Sequence, residues 1–192
     1  FYLTEEEIKS KGIEKEFWMY RDEKGNWVPN YVIKSPRECR SIMLKPGDLK
    51  FRVLMIHKNK GALKGTNVLR YIQEGERKGL HKRPTCASRE RWYDLGRRTP
   101  SGFLHPMIHN DRQLITINDE TCYVDHNLFE IQPKDREKIH ILAAYFSSTP
   151  ALLMKEFGGR VNLGEGALKT EGVDIERLFA IDLQKINAAE TR

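Results

Sequence analysis

Residues 77–98, RKGLHKRPTCASRERWYDLGRR, concentrate groups that bind anions. Eight cations (Arg77, Lys78, Lys82, Arg83, Arg89, Arg91, Arg97, Arg98) face only two acids, Glu90 and Asp94. That local balance of +6 equals the net charge of the whole chain, so the remaining residues carry 25 charges of each sign. His81, Trp92 and Tyr93 stand among these cations. A polyanion is the natural partner for such a segment, and nucleic acid is the commonest polyanion. A plain solvated basic face has the same composition. Trp92 and Tyr93 carry rings of the kind that stack on bases. Adjacent helical residues diverge by about 100°, so at most one of the two would face a ligand while the other joins a core.

A second cluster is GGRVNLGEGALKT at 158–170. Gly158, Gly159, Gly164 and Gly166 allow backbone N–H groups to approach a phosphate, and Arg160, Asn162 and Lys169 supply contacts. The same letters also make a helix stop and a turn. The run is not GxGxxG and follows no strand, which argues against a Rossmann site. Other chemistries find less support. His105 and His109 are four apart, but Pro106 spoils helical spacing, and no cysteine pair has zinc-ligand spacing. There is no GxSxG elbow. Cys86 lies among cations without an evident partner base. The eight prolines include no Pro-Pro pair, so the Asn/Asp-Pro-Pro-Tyr/Phe motif that holds a flipped adenine is missing. A Gly-rich strand–turn–helix for S-adenosylmethionine and a paired-carboxylate and lysine signature for a nuclease are missing too.

The elements that must position these groups can be read from caps, breakers and periodicity. Thr4 with Glu7 has capping-box spacing for a short helix that Gly12 ends. Aromatics, Gly25, Pro29 and Pro36 make residues 17–38 a run of turns and extended pieces. Residues 51–57, FRVLMIH, read as a strand. Thr66 caps a helix through about Arg77, with Val68, Leu69 and Ile72 on one face, and Gly79 closes it. Pro84 breaks the basic stretch, and Ser88 is expected to cap a short helix carrying Arg89, Trp92 and Tyr93. Strands are expected at 103–105, 114–117 and 127–131. Asp135 then caps a helix presenting Ile139, Leu142, Ala143 and Phe146, and Thr149-Pro150 starts another that ends at Gly158-Gly159. An extended tail is expected over 178–186.

At 192 residues, 39% hydrophobic and 31% charged, the chain can bury a core and stay well solvated. No apolar run approaches the roughly 20 residues that cross a bilayer, and the acidic, mixed N-terminus is no signal peptide. Three widely spaced cysteines, Cys39, Cys86 and Cys122, fit reduced thiols in a cytoplasmic protein. A start at Phe1 reads as a piece of a longer polypeptide.

The order YIQEGERKG, HKRPTCASRERWYDLG, a β-rich segment ending YVDHNLFEI, ILAAYFSSTPALLMKEFGGR and NLGEGALK resembles one known family. It is the C-terminal target recognition domain of adenine-N6 DNA methyltransferases, of the TaqI-like specificity type, found in type II methyltransferases and fused restriction-modification enzymes. YVIKSPRE resembles the segment leading into that domain, so the likeness spans roughly residues 30–186. Arg89-x-x-Trp92-Tyr93 and the helix followed by Gly159-Arg160 are its most specific marks.

The resemblance implies an α+β fold, a small mixed or antiparallel sheet with packed helices. It implies an N-terminal lobe at 1–30, leading from a catalytic domain normally in the same polypeptide, and a recognition domain at 31–192. S-adenosylmethionine and the methylation of a flipped base belong to that catalytic domain; no catalytic residue, cofactor or metal is expected in this chain. The expected partner is double-stranded DNA. Lys78, Lys82, Arg83 and Arg91, with His81 among them, would bind phosphates. Arg89 would do the same or buttress Trp92. Arg160, Asn162, Gly164, Gly166 and Lys169 would hold the backbone at a second point. Arg97, Arg98, Asn110 and Arg112 would read bases in the major groove. Two rival readings are a module that docks onto a methyltransferase through the aromatic surface of Phe17, Trp18, Tyr20 and Trp27, and a small phosphate-handling enzyme built on the Gly-rich loop.

Overall fold

The computed structural model describes residues 1–38, 40–98, 102–109, 114–118, 122–158 and 167–177. The chain is α+β and forms two units, Phe1–Val32 with Leu49–Thr99, and Ile33–Asp48 with Pro100–Arg192.

In the first unit, β1 (Tyr2–Thr4) runs directly into α1 (Glu5–Ser10) through a capping box. The Thr4 hydroxyl accepts the Glu7 N–H at 3.2 Å, and the Glu7 carboxylate accepts the Thr4 N–H at 2.7 Å. Two N–H groups that the helix itself cannot satisfy are thereby met. The aromatic stretch that reads as turns and extended pieces is an antiparallel hairpin of β2 (Met19–Arg21) and β3 (Trp27–Pro29). Asp22 closes its turn by accepting the Asn26 N–H at 2.7 Å, and the Arg21 guanidinium lies 4.4 Å from the Trp27 ring centre. Next come β4 (Tyr31–Ile33) and β5 (Phe51–Val53). The β5 strand pairs antiparallel with both β1 and β4. It is shorter than the expected 51–57. Leu54 and Met55 donate singly to the carbonyls of Phe1 and Phe17, and Leu54 and Ile56 turn into the core.

That core joins Leu3, Ile8, Phe17 and Trp18 to Leu54, Ile56, Leu63, Val68, Ile72 and Tyr93. The first 30 residues therefore pack in the same unit as the basic segment. Phe17 and Trp18 are only 3% and 6% exposed, which removes them from the aromatic docking surface considered above.

The helix expected from Thr66 is α2 (Asn67–Arg77), with the Thr66 hydroxyl accepting the Leu69 N–H at 3.2 Å. A second cap arrives from far away in sequence. The Glu14 carboxylate accepts the N–H groups of Asn67 at 2.6 Å and Val68 at 3.2 Å. An anion on those N–H groups also complements the positive end of the helix dipole. The helix expected after Ser88 lies earlier: α3 spans Pro84–Ala87, and Ser88 is its C-terminal cap. Proline fits the first turn of a helix because its missing N–H has no partner there in any case. Trp92 and Tyr93 therefore sit in the turns that follow, not on a helix.

In the second unit, β6 (Phe103–Pro106) is followed by β7 (Ile108–His109), β8 (Thr116–Ile117), β9 (Tyr123–Val124) and β10 (Leu128–Ile131). The β6 strand lies between β10 and β8, antiparallel to both. Residues 42–44 join this unit: the Ile117 N–H donates to the Ile42 carbonyl and the Leu44 N–H to the Ile117 carbonyl. Asp135 accepts the Glu137 N–H and opens a turn into α4 (Ile139–Phe146). Ile139, Ala143 and Phe146 pack on Phe103, Ile115 and Ile117. Then follow α5 (Thr149–Gly158), β11 (Leu168–Lys169), which pairs antiparallel with β7, and α6 (Gly172–Glu176). The tail expected over 178–186 lies outside the described residues. Gly102, at the start of β6, has φ +90°, and a Cβ there would sit 2.1 Å from the Ile131 carbonyl oxygen.

Candidate nucleic-acid interface

The basic segment is fastened from beneath. After α2, Gly79 takes φ +70°, a left-handed conformation that suits glycine, and turns the chain into a 3₁₀ turn at Leu80–Lys82. Tyr93 is 2% exposed and its hydroxyl donates to the Lys58 carbonyl at 3.1 Å. Asp94 is the pin. Its carboxylate meets the His57 Nδ1 at 2.9 Å, the Arg91 guanidinium at 2.7 Å and the Gly96 N–H at 2.9 Å. Burial pushes the Asp94 carboxyl up, but these three donors outweigh burial and hold it below the usual carboxylate range.

Trp92 is held by its edge. Its indole N–H donates to the Glu76 carboxylate at 2.9 Å. Its ring rests on Gly75 of α2, where a Cβ would lie 2.6 Å from the Trp92 Cη2. Glycine weakens an isolated helix; here it makes room for an indole. Replacing an exposed helical glycine by alanine ordinarily stabilises by about 1 kcal/mol. Gly75→Ala is instead expected to lower the thermal midpoint, because the Trp92 ring must move. A raised midpoint with unchanged Trp92 fluorescence would show that the close approach is not a constraint.

With the segment anchored in this way, its cations point outward. Lys78, Lys82, Arg83, Arg89, Arg97 and Arg98 are exposed, and His81 and Arg91 are half-buried. Two of the expected phosphate contacts are already paired: Lys78 with Glu74, and Arg91 with Asp94. Arg77, Lys82, Arg83, Arg89, Arg97 and Arg98 have no carboxylate partner among the described residues. Arg89 instead donates to the Trp92 carbonyl at 3.4 Å. Lys78, His81, Lys82, Arg83, Arg89, Arg91, Arg97 and Arg98 thus lie in one unit.

The other candidates belong to the second unit. Lys169, on β11, pairs with Glu171 at 2.6 Å. Asn110, Arg112, Arg160, Asn162, Gly164 and Gly166 lie outside the described residues. Sequence reasoning missed His57 and Asp94 as anchors, since their partnership spans 37 positions. It also missed Lys155. The α5 helix buries Lys155, 2% exposed, and leaves Phe157 84% exposed, the reverse of what residue type suggests. The Lys155 Nζ has no hydrogen-bond partner among the described residues, and burial pushes its ammonium down to about 7. Among the described residues no group of three or more His, Cys, Asp or Glu is placed to hold a metal, and no helix is long and apolar enough to cross a membrane.

Comparisons with known proteins match this chain to a family model and to a solved structure. The family model of the C-terminal domain of the type II methyltransferase M.Eco57I matches residues 1–192. The crystal structure of the type IIG restriction endonuclease BpuSI matches in fold, with a TM-score of 0.56 at 15% sequence identity over 96% of this chain. This chain spans 21% of that protein. No curated protein sequence matches.

Proposed function

Because this chain belongs to the family of the M.Eco57I C-terminal domain of type II methyltransferases, we propose that it is the part of a restriction-modification enzyme that grips duplex DNA and reads the target for adenine-N6 methylation. The observation that carries this reading is the basic segment. Lys82, Arg83, Arg89, Arg97 and Arg98, without carboxylate partners among the described residues, stand in the segment that Tyr93, Asp94 and Trp92 hold in place, and Arg77 ends α2 beside them. Charges already neutralised by their own protein gain little from a phosphate; these six keep their full attraction for one. Lys82 and Arg83 contact phosphates, Arg89 sets Trp92, and Arg97 and Arg98 carry the forked donors suited to guanine edges. Arg112 and Asn110 share the reading role, and Arg160, Asn162, Gly164, Gly166 and Lys169 hold the backbone at a second point. The catalytic domain and S-adenosylmethionine belong to another part of the parent polypeptide. With no Pro-Pro pair in the sequence, no transfer step is assigned to these residues.

The reading is tested by anisotropy of a labelled random duplex at several salt concentrations. Each neutralised phosphate adds about 0.9 to the slope of log affinity against log salt. A slope of several units is expected, reduced by about one in each of Lys82→Ala and Arg83→Ala. Arg112→Ala is expected to lose about 1–3 kcal/mol on the cognate site only. A slope near zero, or one untouched by both basic substitutions, would remove the segment from the interface.

A further inference from the structure

The first unit contains a pocket that shares Arg83 with the basic segment. It has a volume of about 240 Å³ and is lined by Phe1, Tyr71, Leu80 and Trp92 on the apolar side, and by Glu74, Lys78, Arg83 and Cys86. Three aromatic rings meet there: Phe1 lies 5.9 Å from Tyr71, edge to face, and 5.4 Å from Trp92. Gly75, also in the lining, is what allows the Trp92 ring to come down onto α2. The charged rim is unequal. Lys78 and Lys11 already neutralise Glu74, whereas Arg83 has no carboxylate partner among the described residues.

We propose that this pocket binds a nucleobase carrying a phosphate, with the base among Phe1, Tyr71 and Trp92 and the phosphate on Arg83. Stacking on aromatic rings suits a planar base of any sequence. A guanidinium forks onto two phosphate oxygens, which an ammonium cannot do. A rim of two cations and one carboxylate favours an anion over a neutral or cationic ligand. A purely apolar ligand would leave Arg83 unused, and inorganic phosphate alone would leave the three rings uncovered. The base has two sources, a free nucleotide or a nucleotide unstacked from a bound strand. The site shares Arg83 with the proposed duplex interface, and a free nucleotide tests it without a duplex.

Cys86 supplies a reporter, because its half-buried thiol lies in the lining while Cys122 is fully buried. Limiting N-ethylmaleimide would be added to the whole chain with adenosine 5′-monophosphate, adenosine or inorganic phosphate, and Cys86 labelling read from its peptide by mass spectrometry. Millimolar adenosine 5′-monophosphate is expected to slow Cys86 labelling at least threefold, and Arg83→Ala to raise the concentration required about tenfold. Two duplexes, one fully paired and one with a single unpaired adenine, form a second arm. Stronger protection by the unpaired adenine would support the site and identify the strand as the source; equal effects beside a protecting mononucleotide would support it and identify free nucleotide. The proposal is overturned if neither the mononucleotide nor the unpaired adenine protects. It is also overturned if inorganic phosphate protects as well as the mononucleotide, or if Arg83→Ala leaves protection unchanged.

Discussion

Gly102→Ala is expected to destabilise the second unit by about 3–5 kcal/mol, a large share of what a domain of this size has. Two separate costs combine. At φ +90° an L-residue is strained, and forcing a Cβ into left-handed backbone costs roughly 1–2 kcal/mol. The larger cost is steric. A Cβ would sit 2.1 Å from the Ile131 carbonyl oxygen and 2.8 Å from its carbon, and these are backbone atoms that cannot rotate away. Relieving that overlap must open the end of the β6–β10 ladder, where Phe103 pairs with Ile131, and disturb the bond from the Asn118 N–H to the Gly102 carbonyl at 2.9 Å. Phe103 is fully buried in the core of that unit, so the shift reaches the packing of α4. Urea unfolding followed by circular dichroism checks this. A midpoint equal to that of the parent would mean the ladder end yields freely and the glycine is incidental.

Lys155 carries the second large effect, with the opposite sign. A lysine in the unfolded chain titrates near 10.4, whereas burial pushes the folded Lys155 down to about 7. Between these values the unfolded state binds the extra proton, so stability rises with pH across about 7 to 10 and is flat on either side. The slope is one proton, about 1.4 kcal/mol per pH unit. At neutral pH the amine therefore costs on the order of 3–5 kcal/mol relative to an uncharged side chain of the same length. Lys155→Met is expected to raise stability at pH 7 by that order and to abolish the rise toward pH 10. Denaturation at pH 7, 8.5 and 10 would decide the matter. A parent whose stability does not climb over that range, or a methionine variant no more stable at pH 7, would show that the amine reaches water after all.

What could be read in the sequence follows from the distance over which each signal acts. The Thr4–Glu7 box, the Thr66 cap and the Gly79 stop each involve neighbours within one or two turns, and the structure repeats them. The three strands expected between residues 103 and 131 exist for the same reason, although two are shorter than alternation suggests. Local reasoning misplaced the helix near Ser88, because proline both breaks a helix from inside and begins one, and only the second property applied at Pro84. The Glu14 cap on α2, the Asp94 pin on His57 and the seat of Trp92 on Gly75 each join positions far apart in sequence, and no periodicity encodes such partners. Lys155 was hidden differently. The flanking Leu153 and Phe157 argue for an inward face of their own, and that face is exposed.

The route of the chain also has a temporal side. It leaves the first unit after Val32 and re-enters at Leu49, so the contacts that build that unit close a loop of only 16 residues. Such a closure is cheap, because its entropic cost grows only as the logarithm of length. Synthesised from its N-terminus, the protein has every described part of the first unit in hand by residue 98, including the cations and the anchors beneath them. The excluded loop waits longer. Ile42 and Leu44 find backbone partners on Ile117, which emerges later. The basic segment and its anchors are thus expected to mature while the loop still exposes unpaired backbone. In a crowded cell this interval, rather than the finished fold, is when the chain is most open to pairing with a wrong strand.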